Sequence, residues 1–141
     1  MSQDFENAAE LYSDALEYAE LVCNEKGKNL ATTINLNRAM AHIKNGDNQK
    51  GIDAATKALD SVGSSTHAKA YYWRATGYFN LKNNKRCLAD CVASVRLQPS
   101  NKAARKLYKK ALAAQKKVRA NKSKAKSLFS GAFDKVKPYA W

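Results

Sequence analysis

Two similar stretches predict the architecture of this chain: RAMAHIKNGDNQKGIDAATKALD at residues 38–60 and RATGYFNLKNNKRCLADCVASVR at residues 74–96. They align without a gap and keep small or aromatic residues at the same offsets. Each predicts a helix, a short polar turn at residues 45–48 or 82–84, and a second helix. The chain therefore repeats a pair of helices. The aligned residues are Arg38 and Ala39 with Arg74 and Ala75, His42 with Tyr78, Gly51 with Cys87, Ala55 with Cys91, and Ala58 with Ser94.

Residues 4–19, DFENAAELYSDALEYA, match the second helix of such a unit, and we place this helix at residues 4–24. The first helix of the same unit is absent from the sequence, so an apolar stripe that normally packs on it lacks its mate. We expect either a truncated chain or self-association through this helix. The alternative is that a single helix caps the stack adequately. The stripe consists of Phe5, Ala8, Leu11, Tyr12 and Ala15.

The complete units are predicted at residues 32–63 and 68–101, so that one repeat domain covers residues 4–101. Pro99 cannot continue a helix and marks the end of the last unit. Beyond it, apolar residues at three-to-four spacing predict a basic helix at residues 102–130 that caps the stack. Gly131 predicts an end or a kink of that helix, and residues 131–141 a frayed tail.

Charge is distributed unevenly along the 141 residues, whose formal net charge is +13. Residues 1–31 contain seven acids and two bases, whereas residues 100–141 contain thirteen bases and one acid. No apolar stretch approaches the ~18 residues that a membrane span needs, and the acidic start is unlike a secretory signal. Three cysteines do not form a disulfide framework, so we expect a reducing, cytoplasmic location, or a nuclear one.

Residues with catalytic or ligating chemistry do not form a recognisable set. The sequence shows no Ser-His-Asp combination, no paired-carboxylate cleft and no glycine-rich phosphate loop. His42 takes an aromatic packing position, and Cys87 and Cys91 are expected to pack rather than to bind metal or react. We therefore predict a non-catalytic chain with no metal site and no cofactor.

The repeat resembles the tetratricopeptide repeat, in which a small residue near the middle of the first helix lets the second helix pack closely. Ala39 and Ala75 hold that position here, and Pro99 the position at the end of the repeat. This resemblance implies an all-α fold whose helix–turn–helix repeats stack in a right-handed superhelix, closed by the C-terminal helix. It also implies a protein-binding function.

Three further features resemble the repeat domain of the large immunophilins, the FKBP-type and cyclophilin-type prolyl isomerases that act as co-chaperones. They are the long joining segment EYAELVCNEKGKN, the helix NLNRAMAHIK and the basic tail KKVRANKSKAKSLFSGAF. The family's catalytic domain is absent from this sequence. The resemblance therefore implies a non-catalytic adaptor, the chaperone-binding part of an immunophilin-like co-chaperone.

Members of this family hold the C-terminal Glu-Glu-Val-Asp of heat-shock protein 90 or 70 in a clamp of lysine, asparagine and arginine side chains. The resemblance puts Asn37 and Lys69 in two of the clamp positions. The arginine position of the last repeat is occupied by Trp73, with Arg74 beside it, and the positions of the first repeat have no counterpart here. The implied partner is the acidic C-terminal peptide of a heat-shock chaperone.

The segment KAYYWRATGYF, residues 69–79, divides into two faces at helical spacing. Tyr71 and Tyr78 share the packing face with Ala75. Lys69 and Trp73 share the other, which we predict to face the groove; the alternative is that Trp73 fills space against a neighbouring helix. The predicted peptide-binding residues are Asn37, Lys69, Trp73, Arg74, Lys44, Asn80 and Lys106.

The basic C-terminal helix has several candidate roles. In immunophilins a similar extension is associated with calmodulin, and Leu128, Phe129 and Phe133 among lysines suit that partner. Phosphate-mediated binding to nucleic acid or to an anionic membrane is a less favoured alternative, and a solvated cap the simplest one. A second reading of the whole chain is a scaffold for a different protein partner, with self-association through the N-terminal helix to form a homodimer.

Overall fold

The computed structural model describes the backbone of residues 2–21, 25–60 and 67–136. These ranges are helical apart from short turns and contain no strand, which confirms the all-α prediction. None of these helices combines the length and the apolar character needed to cross a bilayer. The six helices are α1 Ser2–Leu21, α2 Glu25–Lys44, α3 Asn48–Leu59, α4 His67–Asn80, α5 Asn84–Leu97 and α6 Lys102–Val136.

The helices stack in chain order, each packing against the next from α1 to α6. Among alternate helices, contacts in the described part of the chain are confined to α2 with α4 and α4 with α6. Helices α2, α4 and α6 therefore lie closer together than α1, α3 and α5 do. The stack accordingly curves, with α2, α4 and α6 lining the inner side.

The two complete repeats turn in the same way although their turn sequences differ. The amide of Asp47 donates to the carbonyl of His42 at 2.8 Å, and that of Asn83 to Tyr78 at 2.8 Å. Gly46 and Lys82 occupy corresponding positions in these turns, with φ of 91° and 62°. Glycine adopts this left-handed region freely, whereas lysine does so at a cost of roughly 1–2 kcal/mol. At Lys82 the conformation is therefore held by the rest of the repeat and not by the freedom of a glycine.

Small side chains allow the paired helices to approach closely. Ala39 and Ala75 are fully buried at the predicted positions. Gly51 stands where the family pattern has alanine, and the structure explains this departure: a Cβ at Gly51 would overlap Cγ1 of Ile43. Ile43 therefore fills the space that an alanine would occupy.

The cysteines of α5 are packing residues, as the sequence predicts. Cys87 and Cys91 are fully buried, with their Sγ atoms 4.0 Å apart. Contact with Cys87, followed by burial, raises the pKa of Cys91, so its thiol stays protonated. Within the described residues no group of His, Cys, Asp and Glu side chains could hold a metal ion.

Two predicted boundaries differ from the structure. The joining segment between the first two repeats is mostly helical, because α1 runs to Leu21 and α2 begins at Glu25; residues 22–24 lie outside the described part. Helix α6 neither ends nor is capped at Gly131 but continues to Val136. A glycine inside a helix costs about 1 kcal/mol, which a long helix tolerates. The tail residues 137–141 lie outside the description.

Helix α1 is anchored on one face only. Ala9 and Leu16 are buried against α2, where Leu16 packs with Ile34. On the predicted apolar stripe, Phe5, Ala8 and Tyr12 are half-buried, whereas Leu11 is 68% exposed and Ala15 is also exposed. Packing on α2 therefore covers only part of the stripe.

Candidate functional site

A cavity of about 570 Å³ opens on the inner side of the stack, between α2, α4 and the start of α6. Three of the residues singled out in the sequence line it together, namely Asn37, Lys69 and Trp73. The structure thus brings an amide, an ammonium and an indole to one groove. The remaining lining residues are Leu36, Met40, Tyr72, Gln98, Ser100, Asn101, Lys102 and Ala103.

Helical spacing and two side-chain hydrogen bonds fix the walls of this groove. Lys69 and Trp73 are one turn apart on α4, so they face the same way. The start of α4 is tied to α5, because Ser94 Oγ donates to the carbonyl of Ala68 at 2.8 Å. The start of α6 is capped by Asn101, whose Oδ1 accepts from the Ala104 amide at 3.1 Å. The lining groups are therefore held by secondary structure.

Trp73 serves both roles that the sequence left open. Its half-buried ring packs against the buried Leu36 and against a cluster containing Ala39, so it fills space beside α2. The same residue lines the cavity, and its ring meets Tyr72 edge-on at 5.2 Å. Lys44 Nζ lies 5.8 Å from the centre of the Trp73 ring, a cation–π distance. The groove floor is thus aromatic, with a lysine at its edge.

Asn37 and Lys69 are available to a ligand. Within the described part of the chain, neither side chain has a hydrogen-bond or ion-pair partner. Lys69 is exposed, and Asn37 is half-buried. Lys102, at the first turn of α6, adds a second exposed ammonium to the same cavity.

Arg74 does not join these residues. Its Nε and Nη2 donate to the two carboxylate oxygens of Asp90, each at 2.8 Å, which ties α4 to α5. The hydrogen bonds to Asp90 raise the pKa of Arg74 and outweigh the opposing effect of burial. The guanidinium is committed to a largely buried ion pair inside the stack, which keeps Arg74 out of the groove.

The other predicted residues surround the cavity without lining it. Asn80 donates to Asn48 Oδ1 at 2.9 Å and so joins the end of α4 to the start of α3. Lys106 is exposed on α6, one turn beyond Lys102. Lys44 approaches only the edge of the groove, over Trp73.

Sequence reasoning missed the wall formed by residues 98–103. There the sequence showed only a break at Pro99 and the start of the last helix. The repeat itself contained the signal. Each helix pair is followed by another inner helix, so α6 is the next inner helix after the pair α4–α5. The repeat pattern therefore places the start of α6 beside Lys69. Gln98, Asn101 and Lys102 thereby become groove residues.

A second cleft lies between α1, α2 and α3 and holds His42. His42 is 9% exposed, and its Nδ1 lies 4.0 Å from Asp47 Oδ2, without a hydrogen bond. Arg38 aligns with Arg74, but Ala54 stands where Asp90 stands in the next repeat, so the buried Nε of Arg38 has no hydrogen-bond partner. Burial, followed by the charge of Arg38, lowers the pKa of His42.

This burial predicts a loss of stability in mild acid. The unfolded chain takes up a proton at His42 near its ordinary pKa of 6.5, whereas the folded chain resists it. The free energy of unfolding should therefore fall as the pH drops below 6.5, by up to about 1.4 kcal/mol per pH unit. In His42→Tyr, which copies Tyr78 of the next repeat, urea unfolding at pH 7.5 and 5.5 should show a smaller difference. An unchanged difference would exclude His42 as its source.

The basic helix is exposed over residues 116–130, where Leu128 and Phe129 have 73% and 70% of their surface accessible. Side chains beyond Ser130, including Phe133, lie outside the description. Binding of calmodulin by this helix stays a prediction.

No protein-family model matches the chain. Its structure is similar to the tetratricopeptide-repeat domain of Arabidopsis OM64, with a TM-score of 0.54 and 25% sequence identity, over 74% of this chain and 94% of that domain. The stacked helix pairs have a tetratricopeptide-repeat fold, which confirms the predicted fold, and together with the inner groove they support a protein-interaction module.

The sequence is also 29% identical over 119 residues to peptidyl-prolyl cis-trans isomerase D of Eremothecium gossypii. The match covers 84% of this chain and 31% of that relative. The chain thus spans about a third of the length of the relative. This sequence similarity confirms the predicted resemblance to an immunophilin-type protein.

Proposed function

We propose that this chain is a chaperone-binding adaptor that holds the acidic C-terminal end of heat-shock protein 90 or 70 in its inner groove. One observation carries the proposal: Asn37, Lys69 and Trp73 line a single cavity, and the first two have no partner in the described structure. Similarity to a prolyl isomerase supports an adaptor segment of a co-chaperone.

The chemistry of the groove fits a peptide that ends in aspartate. Such an end carries two carboxylates, and each charge-assisted hydrogen bond to them contributes roughly 1.5–3 kcal/mol. Lys69 and Lys102 supply ammonium donors and Asn37 an amide. Trp73 and Met40 offer apolar surface to a valine or methionine side chain of the peptide. Trp73 stands where the family's clamp has an arginine. Peptide binding in this groove therefore depends less on charge than it does in that clamp.

Calorimetry with the peptide MEEVD tests this proposal. We expect binding at micromolar to high micromolar concentration, and weaker binding of the same peptide with an amidated C-terminus, because one carboxylate is removed. A scrambled peptide of equal charge controls for non-specific attraction to the basic chain. No heat at high micromolar peptide, or equal heat from the scrambled peptide, would favour a scaffold for a different protein.

A further inference from the structure

A further groove, distinct from the peptide site and from the cleft at His42, lies on the other side of α6, where α6 packs against α5. It encloses about 440 Å³. Its floor consists of Val92, Val95 and the ring of Tyr108, and Val92 is 37% exposed. This groove shares no lining residue with the proposed peptide site.

Three cations surround this apolar floor. Arg96, Arg105 and Lys109 line the groove and are exposed. In the described part of the chain none of the three has an acidic partner. An apolar floor under three unpaired cations suits an acidic amphipathic helix.

Helix α1 presents a matching surface. Asp4, Ala8, Leu11 and Ala15 follow helical spacing and share the face that α2 does not fully cover. Leu11 is 68% exposed, and the exposed Asp14 lies three residues after it. An apolar ridge with acidic neighbours thus stands at one end of the stack and a basic apolar groove at the other.

The order of the stack relates these two ends. An outer helix follows each inner helix, α3 after α2 and α5 after α4. Helix α6 occupies an inner position, and the groove beside α5 is where a further outer helix would pack. Helix α1 is itself an outer helix. We propose that the α1 of a second copy docks in the α5–α6 groove, so that the chain associates head to tail.

The contact joins two different surfaces and therefore leaves one free end on each copy, which produces open assemblies or rings. Sedimentation velocity of the 141-residue chain should show a mean mass that rises with concentration. Because the contact pairs acids with bases, raising the salt from about 0.05 to 0.5 M should lower this mass. A mass that stays monomeric up to millimolar concentration would overturn the proposal.

Two charge variants block opposite ends. Leu11→Lys places a cation against the basic groove, and Val92→Glu places an acid against α1, so each should raise the dissociation constant at least about tenfold. An equal mixture of the two should restore association, because the intact α1 of Val92→Glu can dock in the intact groove of Leu11→Lys. Leu97→Lys, at a 58% exposed position of α5 outside the groove, should associate like the parent.

One pattern of results would exclude the head-to-tail arrangement. If Val92→Glu still associates while Leu11→Lys does not, two α1 helices meet each other and the head-to-tail arrangement is excluded. Circular dichroism checks that each variant is folded. Should Val92→Glu unfold, the double variant Arg105→Glu with Lys109→Glu replaces it, because both side chains are exposed. Association of that folded double variant at the level of the parent would also refute the groove.

Discussion

Replacing Asp90 by alanine is expected to lower the free energy of unfolding by about 3 kcal/mol. Asp90 has 8% of its side chain exposed and receives two hydrogen bonds from Arg74, whose side chain is 20% exposed. The substitution leaves the guanidinium inside the stack without its carboxylate, between α4 and α5. Removing one member of a buried pair typically costs 3–5 kcal/mol, and the partial exposure of Arg74 favours the lower end. Urea unfolding followed by circular dichroism measures the change.

Two controls separate the ion pair from a general effect of substitution. Asp53→Ala removes an exposed carboxylate from α3 and should change stability by less than about 0.5 kcal/mol. The double variant Arg74→Met with Asp90→Leu should recover most of the loss, because it leaves no unpaired charge. A loss below about 1 kcal/mol in Asp90→Ala would mean that Arg74 finds water or another acceptor instead.

Replacing Lys69 by alanine is expected to weaken binding of the MEEVD peptide at least about tenfold, which corresponds to ~1.4 kcal/mol. Lys69 is exposed, unpaired in the described structure and one turn from Trp73, so its ammonium is placed to bond a peptide carboxylate. A charge-assisted hydrogen bond contributes roughly 1.5–3 kcal/mol, and exposure to solvent favours the lower value. Calorimetry at about 0.1 M salt measures the affinity.

Lys57→Ala provides the matched control, since it removes the same charge from the outer helix α3. If the proposed groove is correct, Lys57→Ala binds like the parent and Lys69→Ala does not. Equal weakening in both variants would show that the peptide responds to the net charge of the chain and not to this groove. The amidated peptide should lose less affinity on Lys69→Ala than the free acid, if the terminal carboxylate is the group that Lys69 contacts.

The two proposed sites use different surfaces of the same stack. The peptide groove lies on the inner side and depends on α2, α4 and the start of α6, whereas the proposed association uses α1 and the far side of α6. Leu11→Lys should therefore leave peptide affinity unchanged, and Lys69→Ala should leave sedimentation unchanged. Failure of one proposal does not imply failure of the other.

The architecture follows from the sequence alone, because spacing is a local property of the chain. Small residues at Ala39 and Ala75, polar turns and the break at Pro99 set a repeating helix pair, and such pairs bury their apolar faces only by stacking. The same spacing put Lys69 and Trp73 on one face of α4. These inferences needed only the 3.6-residue period of a helix.

Which polar groups are free and which are paired depends on contacts between the helices. Arg74 and Lys69 are close neighbours in the sequence, yet Arg74 is bound to Asp90 from another helix, and Lys69 has no partner in the described part. Likewise, Lys102 and Asn101 became groove residues because stacking brings the start of α6 beside α4. Ion pairs and groove walls depend on contacts between helices distant in sequence, and periodicity within one helix contains no information about them.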